Sequence, residues 1–343
     1  MRDEHVRDAP APAARVVRGT RASRGFAAVA VLLVIALVAL PWWGDRLQMQ
    51  IVGEFALYVA LAELWNLLAG YAGLVSVGQQ AFVGLGGYAL FVLAGKFGLP
   101  PLPAVALAGV VSALFAVPTA FVVFRLRGAY FAIGTWVVAE VYRLGFAQVT
   151  ALGGGSGTSL PLSVVRSFGS MAARIDAIYW ASIACGLLVV LLVYALLRAR
   201  AGLALAAIRD SETAAESLGV DALRTKFFVY VVVAFATGIA GALIFLGKLR
   251  ISPDAAFSVT DWTAFVIFMV VIGGVGTLEG PVIGTLIFFL LRQFLADLGG
   301  WYLIILGGTA VLVMLLAPQG LWGLLMRRID LQLLPVRRRL ILE

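Results

Sequence analysis

Five ionisable residues lie within or near long apolar runs: Glu54, Glu63, Glu140, Arg143 and Arg292. A charge at membrane depth is costly, so such groups usually face a pathway or a partner. Glu140 and Arg143 are one helical turn apart and can meet on one face. A structural ion pair is the preferred reading for them. Glu54 and Arg292 can reach an interface by snorkelling. Two small-residue stretches bring further polar groups. Residues 70–88 include Ser76, Gly78, Gln79, Gln80 and Gly84, and residues 273–285 include Gly276, Glu279 and Gly280-Pro281. Small residues let helices approach closely, and Gly-Pro interrupts a helix. Glycine-broken apolar segments in corresponding halves point to a translocation pathway at the membrane midplane. Tight packing with interhelical hydrogen bonds accounts for the same residues equally well. The two stretches match only weakly in sequence, so an inverted repeat is a hypothesis.

The loop 198–226 carries a different pattern. Asp210 or Ser211 can cap a helix N-terminus. Glu212 then falls in the first turn, where the helix dipole favours an anion. Ala214 and Ala215 favour helix, Glu216 shares a face with Glu212, and Gly219 suits a left-handed terminator. Arg198, Arg200 and Arg209 flank this short helix. It reads as a docking knob for a partner, or as a capped surface helix with basic anchors.

Other chemistries find no residues. There is one histidine, His5, and one cysteine, Cys185, which excludes a disulfide and leaves no His- or Cys-rich metal site. No phosphate loop, zinc-protease motif, nucleophile elbow or dinucleotide fingerprint occurs, and no cofactor is expected. If ATP energises this chain, another chain must bind it. The Gly-rich segment 152–158 could cradle a ligand or serve as a flexible connector.

The elements that would carry these groups are apolar spans. Of 343 residues, 62% are hydrophobic and 13% charged, against about 25% charged in soluble domains. Apolar runs cover about 26–40, 51–70, 75–94, 102–124, 130–150, 178–197, 227–247, 262–275, 281–294 and 301–317. The length rule gives about ten crossings, with the runs at 262–275 and 281–294 short or broken. The expected class is an all-α polytopic membrane protein. Three regions are expected: a disordered basic cytoplasmic tail at 1–25, a transmembrane domain at 26–323, and a basic cytoplasmic tail at 324–343. Lys and Arg outnumber Asp and Glu, 26 to 18. With the N-terminal tail inside, every basic cluster falls on the cytoplasmic side, as the positive-inside rule requires. Both termini are then cytoplasmic and 153–157 is external. This topology explains the excess charge without any nucleic acid.

Several motifs together resemble the branched-chain amino acid importer permeases of the ATP-binding-cassette class, specifically the second of their two permease subunits. They are Trp65-Asn66-Leu67-Leu68-Ala69-Gly70-Tyr71-Ala72-Gly73, Ser76-Val77-Gly78-Gln79-Gln80-Ala81-Phe82 and Arg127-Gly128-Ala129-Tyr130-Phe131-Ala132-Ile133. Gly153-Gly154-Gly155-Ser156-Gly157, the run from Arg200 to Gly219, Gly273 to Pro281 and Pro318-Gln319-Gly320-Leu321-Trp322-Gly323 follow in the family's order. The resemblance implies a paralogous second permease, two cytoplasmic ATP-binding subunits and a periplasmic solute-binding protein, in a bacterial inner membrane. It implies that Arg209 to Gly219 couple to the ATPase, and that the solute is a branched-chain amino acid or a related urea, amide or aromatic acid. Gln319, Glu63 and the order Ala214-Ala215-Glu216-Ser217-Leu218-Gly219 depart from the family pattern. A self-contained, ion-driven transporter or channel is the alternative, and such proteins favour buried acidic relays.

Overall fold

The structure, a computed structural model, describes residues 14–17, 21–295, 299, 301–317, 319–329 and 339–342. In lipid a segment must satisfy its own backbone, so apolar runs of this length become helices. The first five are α1 (Arg21–Ala39), α2 (Arg46–Asn66), α3 (Gln79–Gly95), α4 (Pro101–Val123) and α5 (Ala129–Gln148). After the short α6 (Leu162–Arg166) come α7 (Met171–Arg198), α8 (Arg200–Asp210), α9 (Glu212–Ser217) and α10 (Ala222–Lys248). The rest are α11 (Pro253–Ala256), α12 (Phe265–Gly273), α13 (Gly280–Leu295), α14 (Trp301–Leu316) and α15 (Gly320–Ile329). Two π-helical turns extend these elements: Leu67–Tyr71 continues α2, and Thr260–Ala264 leads into α12.

Among the described residues, six helical stretches are long and apolar enough to cross a membrane: Arg46–Tyr71, Pro101–Val123, Met171–Arg198, Ala222–Lys248, Pro253–Gly273 and Trp301–Met326. Three shorter apolar helices accompany them: Ala28–Trp42, Gln79–Gly95 and Gly280–Leu295. The all-α polytopic class is as expected, but the structure supplies six full-length candidates where about ten crossings were expected. The shortfall has a local cause at α3. Residues 72–78 are not helical, so α3 begins only at Gln79 and has 17 residues. That is a rise of about 25 Å, short of a core of about 30 Å. The run at 262–275 behaves oppositely, because α11 and the π turn lengthen it to 21 residues.

The packing is organised around α2 and α3. Every residue from 56 to 70 and from 78 to 91 is buried. A helix buried all round is apolar nearly all round, as both of these are. α10 packs against α3 and α4, and α2 against α7; α12 and α13 form a hairpin against α2. Small residues permit the closest approaches: a methyl at Gly86 would meet the Gly238 carbonyl, and one at Gly241 would meet Val83.

Two small sheets tie distant segments. β1 (Ala14–Val17) pairs antiparallel with β4 (Arg339–Leu342), and β2 (Thr158–Ser159) with β3 (Arg250–Ile251). The first pairing falls within the segments expected as tails, 1–25 and 324–343. Residues 1–13 and 18–20 lie outside the described residues, as do 330–338 and 343 of the C-terminal tail. The second pairing gives the Gly-rich segment a scaffold role. Gly157 sits at φ +78 against the Ile251 carbonyl, where a side chain would collide.

Candidate functional site

The two glycine-rich stretches meet in space. The first break, 72–78, separates the π turn of α2 from α3. The second, 274–279, separates α12 from α13. Asn66, at the end of α2, joins them: its Nδ2 donates to the Thr277 carbonyl (2.7 Å), and its Oδ1 accepts from the Gly276 N–H (2.8 Å). One side-chain amide thus serves two backbone groups that the second break leaves without helical partners. Gly276 has φ +75, a conformation that favours glycine. A methyl at Gly70 would meet the Asn66 amide oxygen and the Gly276 N–H, so this contact needs the absence of a side chain.

The first break is held in the same manner. Trp65 Nε1 donates to the Ser76 carbonyl (2.8 Å), and the Val77 N–H donates to Thr135 Oγ1 on α5 (3.0 Å). Ser76 Oγ accepts from the Gly78 N–H (3.2 Å), and Gln79 Nε2 donates to the Leu61 carbonyl (2.9 Å). The Gln80 N–H donates to Thr263 Oγ1 (3.3 Å), and the Thr263 hydroxyl donates to Gln80 Oε1. In the second break, Thr277 Oγ1 donates to the Gly274 carbonyl (2.8 Å) and accepts from the Gly280 N–H (3.1 Å). Ser76, Gln79 and Gln80 are therefore buried and largely committed to holding the breaks. Gly84 lies apart, packed on the Phe257 ring. Each glutamine keeps one buried atom without a hydrogen bond, Gln79 Oε1 and Gln80 Nε2, and Glu63, fully buried one turn before Asn66, has neither carboxylate oxygen hydrogen-bonded.

The loop 198–226 reaches this junction. Arg209, near the end of α8, donates from Nη1 to the Gly70 carbonyl (2.9 Å). That carbonyl is available because the helical stretch ends at Tyr71, and the last carbonyls of a helix have no helical partner. Asp210 makes a looser contact with Arg209 (3.5 Å) and is the last residue of α8. Ser211 is the cap of α9, its Oγ accepting from the Ala214 N–H (3.3 Å). Gly219 ends the motif at φ +83, as its placement in the sequence suggested. Two residues of the loop behave differently from a simple docking face. Ala215 is buried against Ile208 and Ala222, so it organises the loop from within. Glu212 pairs with Lys226 (2.8 Å) instead of standing free. Ser211, Thr213, Ala214, Glu216, Ser217, Leu218 and Gly219 are exposed, Leu218 82% so.

The other four ionisable residues of the apolar runs form pairs. Arg143 bridges Glu140 (2.6 Å) and Asp254 (2.6 Å), so the pair within α5 becomes a tie to α11. Glu54 and Arg292, read separately as interfacial, bind each other (2.9 Å) across α2 and α13. Sequence reasoning missed Asn66, Thr135, Thr263 and Thr277 as the groups that hold the breaks. Asn66 alone left a signal, as an amide in an otherwise apolar run. Among the described residues no cluster of His, Cys, Asp or Glu could hold a metal ion.

The family described as branched-chain amino acid transport system / permease component matches residues 48–317. The high-affinity branched-chain amino acid transport system permease protein LivM of Salmonella typhimurium is 32% identical over 84% of this chain and 73% of its own length. LivM of Escherichia coli is 29% identical over 85% of this chain and 73% of its own length. A probable LivM of Methanocaldococcus jannaschii is 28% identical over 54% and 52%. No solved structure matches the chain. A match over this much of a helical membrane chain places it in a family: the chain belongs to the branched-chain amino acid transport system permease components.

Proposed function

We propose that this permease component is one membrane subunit of an ATP-driven importer for branched-chain amino acids or closely related small solutes. A paralogous permease, two cytoplasmic ATP-binding subunits and a periplasmic solute-binding protein complete the assembly, in a bacterial inner membrane. The observation that carries this reading is the Arg209–Gly70 hydrogen bond, which ties the loop 198–226 to the junction of both helix breaks. The loop docks on an ATPase through Glu216 and Leu218. Movement of α8 and α9 then acts on the breaks through Arg209, and the attached helices rock. Ser76, Gly78, Gln79, Gln80, Gly84, Gly276, Glu279 and Gly280 are proposed to border the path that opens. The pairing of β1 with β4 supports both termini lying on one side, and the basic clusters make that side cytoplasmic. The ion-driven alternative keeps one observation in its favour, the buried Glu63.

Copurification separates the two. The chain, gently solubilised from bacterial membranes, is expected to bring down an ATPase; uptake driven by an ion gradient in vesicles lacking any ATPase would end the importer reading. Orientation has its own test. A Ser211→Cys chain is expected to resist an impermeant thiol reagent in intact cells and to react after permeabilisation, against a silent background because Cys185 is buried. Labelling from outside would invert the topology.

A further inference from the structure

The ends of two candidate spans form a groove that the transport reading does not use. α4 finishes at Val123 and α10 begins at Ala222. Between them lies a cavity of about 410 Å³ lined by Ala120, Phe121, Phe124, Leu223 and Phe227, with Arg125 and Arg224 also on its wall. The apolar lining is open to the outside: Phe121 is 66% and Leu223 61% exposed, and the Phe121 and Phe227 rings lie 6.1 Å apart. The two arginines differ in their commitments. Arg224 Nε binds Asp221 (3.0 Å). Arg125 has no ion pair among the described residues.

We propose that this groove binds an anionic phospholipid, with its phosphate between Arg125 and Arg224 and an acyl chain along Phe121, Phe124 and Phe227. Charge complementarity and position argue for that occupant. Guanidinium groups match phosphate oxygens in pairs. Basic pockets between spans at the membrane surface select anionic headgroups. A free anion would use the arginines but leave the exposed Phe121 and Leu223 uncovered. A neutral lipid would cover the phenylalanines without an anionic partner for Arg125. Asp221 pairs with Arg224 through Nε, and the Arg224 side chain is 89% exposed, so a ligand can reach it.

The test uses the full chain purified from membranes with copurifying subunits retained, and photoreactive phosphatidylglycerol as probe. Label is expected within residues 120–125 or 223–227. Competition should come from unlabelled phosphatidylglycerol and not from phosphatidylcholine or inorganic phosphate. In the Arg125→Gln/Arg224→Gln double variant, labelling should fall by roughly tenfold or more, while Arg127→Gln, outside the groove, should leave it unchanged. Equal competition by phosphatidylcholine overturns the proposal, and competition by inorganic phosphate makes this a free-anion site. Label confined to other segments overturns it too, and would mean that a second subunit covers the groove. If the double variant fails to purify, the competition and label position on the unaltered chain still decide.

Discussion

Gly78→Ala is expected to abolish solute uptake while the chain remains in the membrane at normal amounts. A single methyl at Gly78 would collide with the Thr135 carbonyl, which belongs to the backbone of α5 and cannot swing aside. The same position immediately precedes α3 and lies beside the Val77–Thr135 hydrogen bond. Overpacking of this kind costs about 1–3 kcal/mol, enough to depopulate one state of a rocking protein by roughly tenfold or more. Insertion should survive, because it depends on apolar length and not on packing. Gly84→Leu should behave alike for a different reason. Its neighbour is the Phe257 ring, which is buried and stacked on Tyr88, with Phe146 also beside it, so the ring has nowhere to move. Uptake assays with immunodetection of membrane-resident chain check both variants. Normal uptake by Gly78→Ala would mean that α3 and α5 separate during the cycle and that this contact does not shape the path.

Arg209→Ala is expected to leave ATP hydrolysis running and to stop most uptake. A hydrogen bond from a charged donor to a partly buried carbonyl is worth about 1.5–3 kcal/mol, and its loss frees the loop from both breaks at once. That amounts to a drop of roughly tenfold to a hundredfold in transport per ATP. Arg209→Lys should recover part of the ratio, since an ammonium can still donate to the Gly70 carbonyl, although without the fork of a guanidinium. Asn66→Leu tests the same link from the membrane side. It would leave the Gly276 N–H and the Thr277 carbonyl unpaired, at about 1–3 kcal/mol each. ATPase rate and uptake measured in one reconstituted complex give the ratio directly. A ratio unchanged in Arg209→Ala would show that coupling runs through other contacts of the loop.

What the sequence made legible was mostly local. Each apolar run overlaps a helix, because length and hydropathy decide helix formation in lipid. The cap at Ser211, the stop at Gly219 and the Glu140–Arg143 pair are set by neighbours within one or two turns. The joining of the two breaks was not legible in the same way. Asn66 and Gly276 are 210 residues apart, and no periodicity links them. Glu54 and Arg292 are 238 apart, and each alone resembles a residue at an interface. The inward turn of Ala215 also escaped, because the helix pattern gives its face but not what packs against that face. The weak match between the two glycine stretches understated their relation. They converge through hydrogen bonds to backbone groups, which constrain side-chain identity little.

The π turn at Leu67–Tyr71 has a consequence for descent. A wide turn of this kind amounts to one extra residue in a regular helix. Removing a residue there would leave a helix of good apolar length and ordinary winding. It would also rotate everything beyond it by about 100° about the helix axis, carrying the Gly70 carbonyl away from Arg209 and the first break away from the second. A surface connection such as 167–170, between α6 and α7, can gain or lose residues at little cost, but the spacing from Trp65 to Gly78 is fixed residue by residue. Point substitutions cannot repair such a deletion, because no side chain restores a rotation of the backbone. Only reinsertion at the same turn returns both contacts, so a descendant that shed this residue would have to rebuild its link between loop and membrane core by another route.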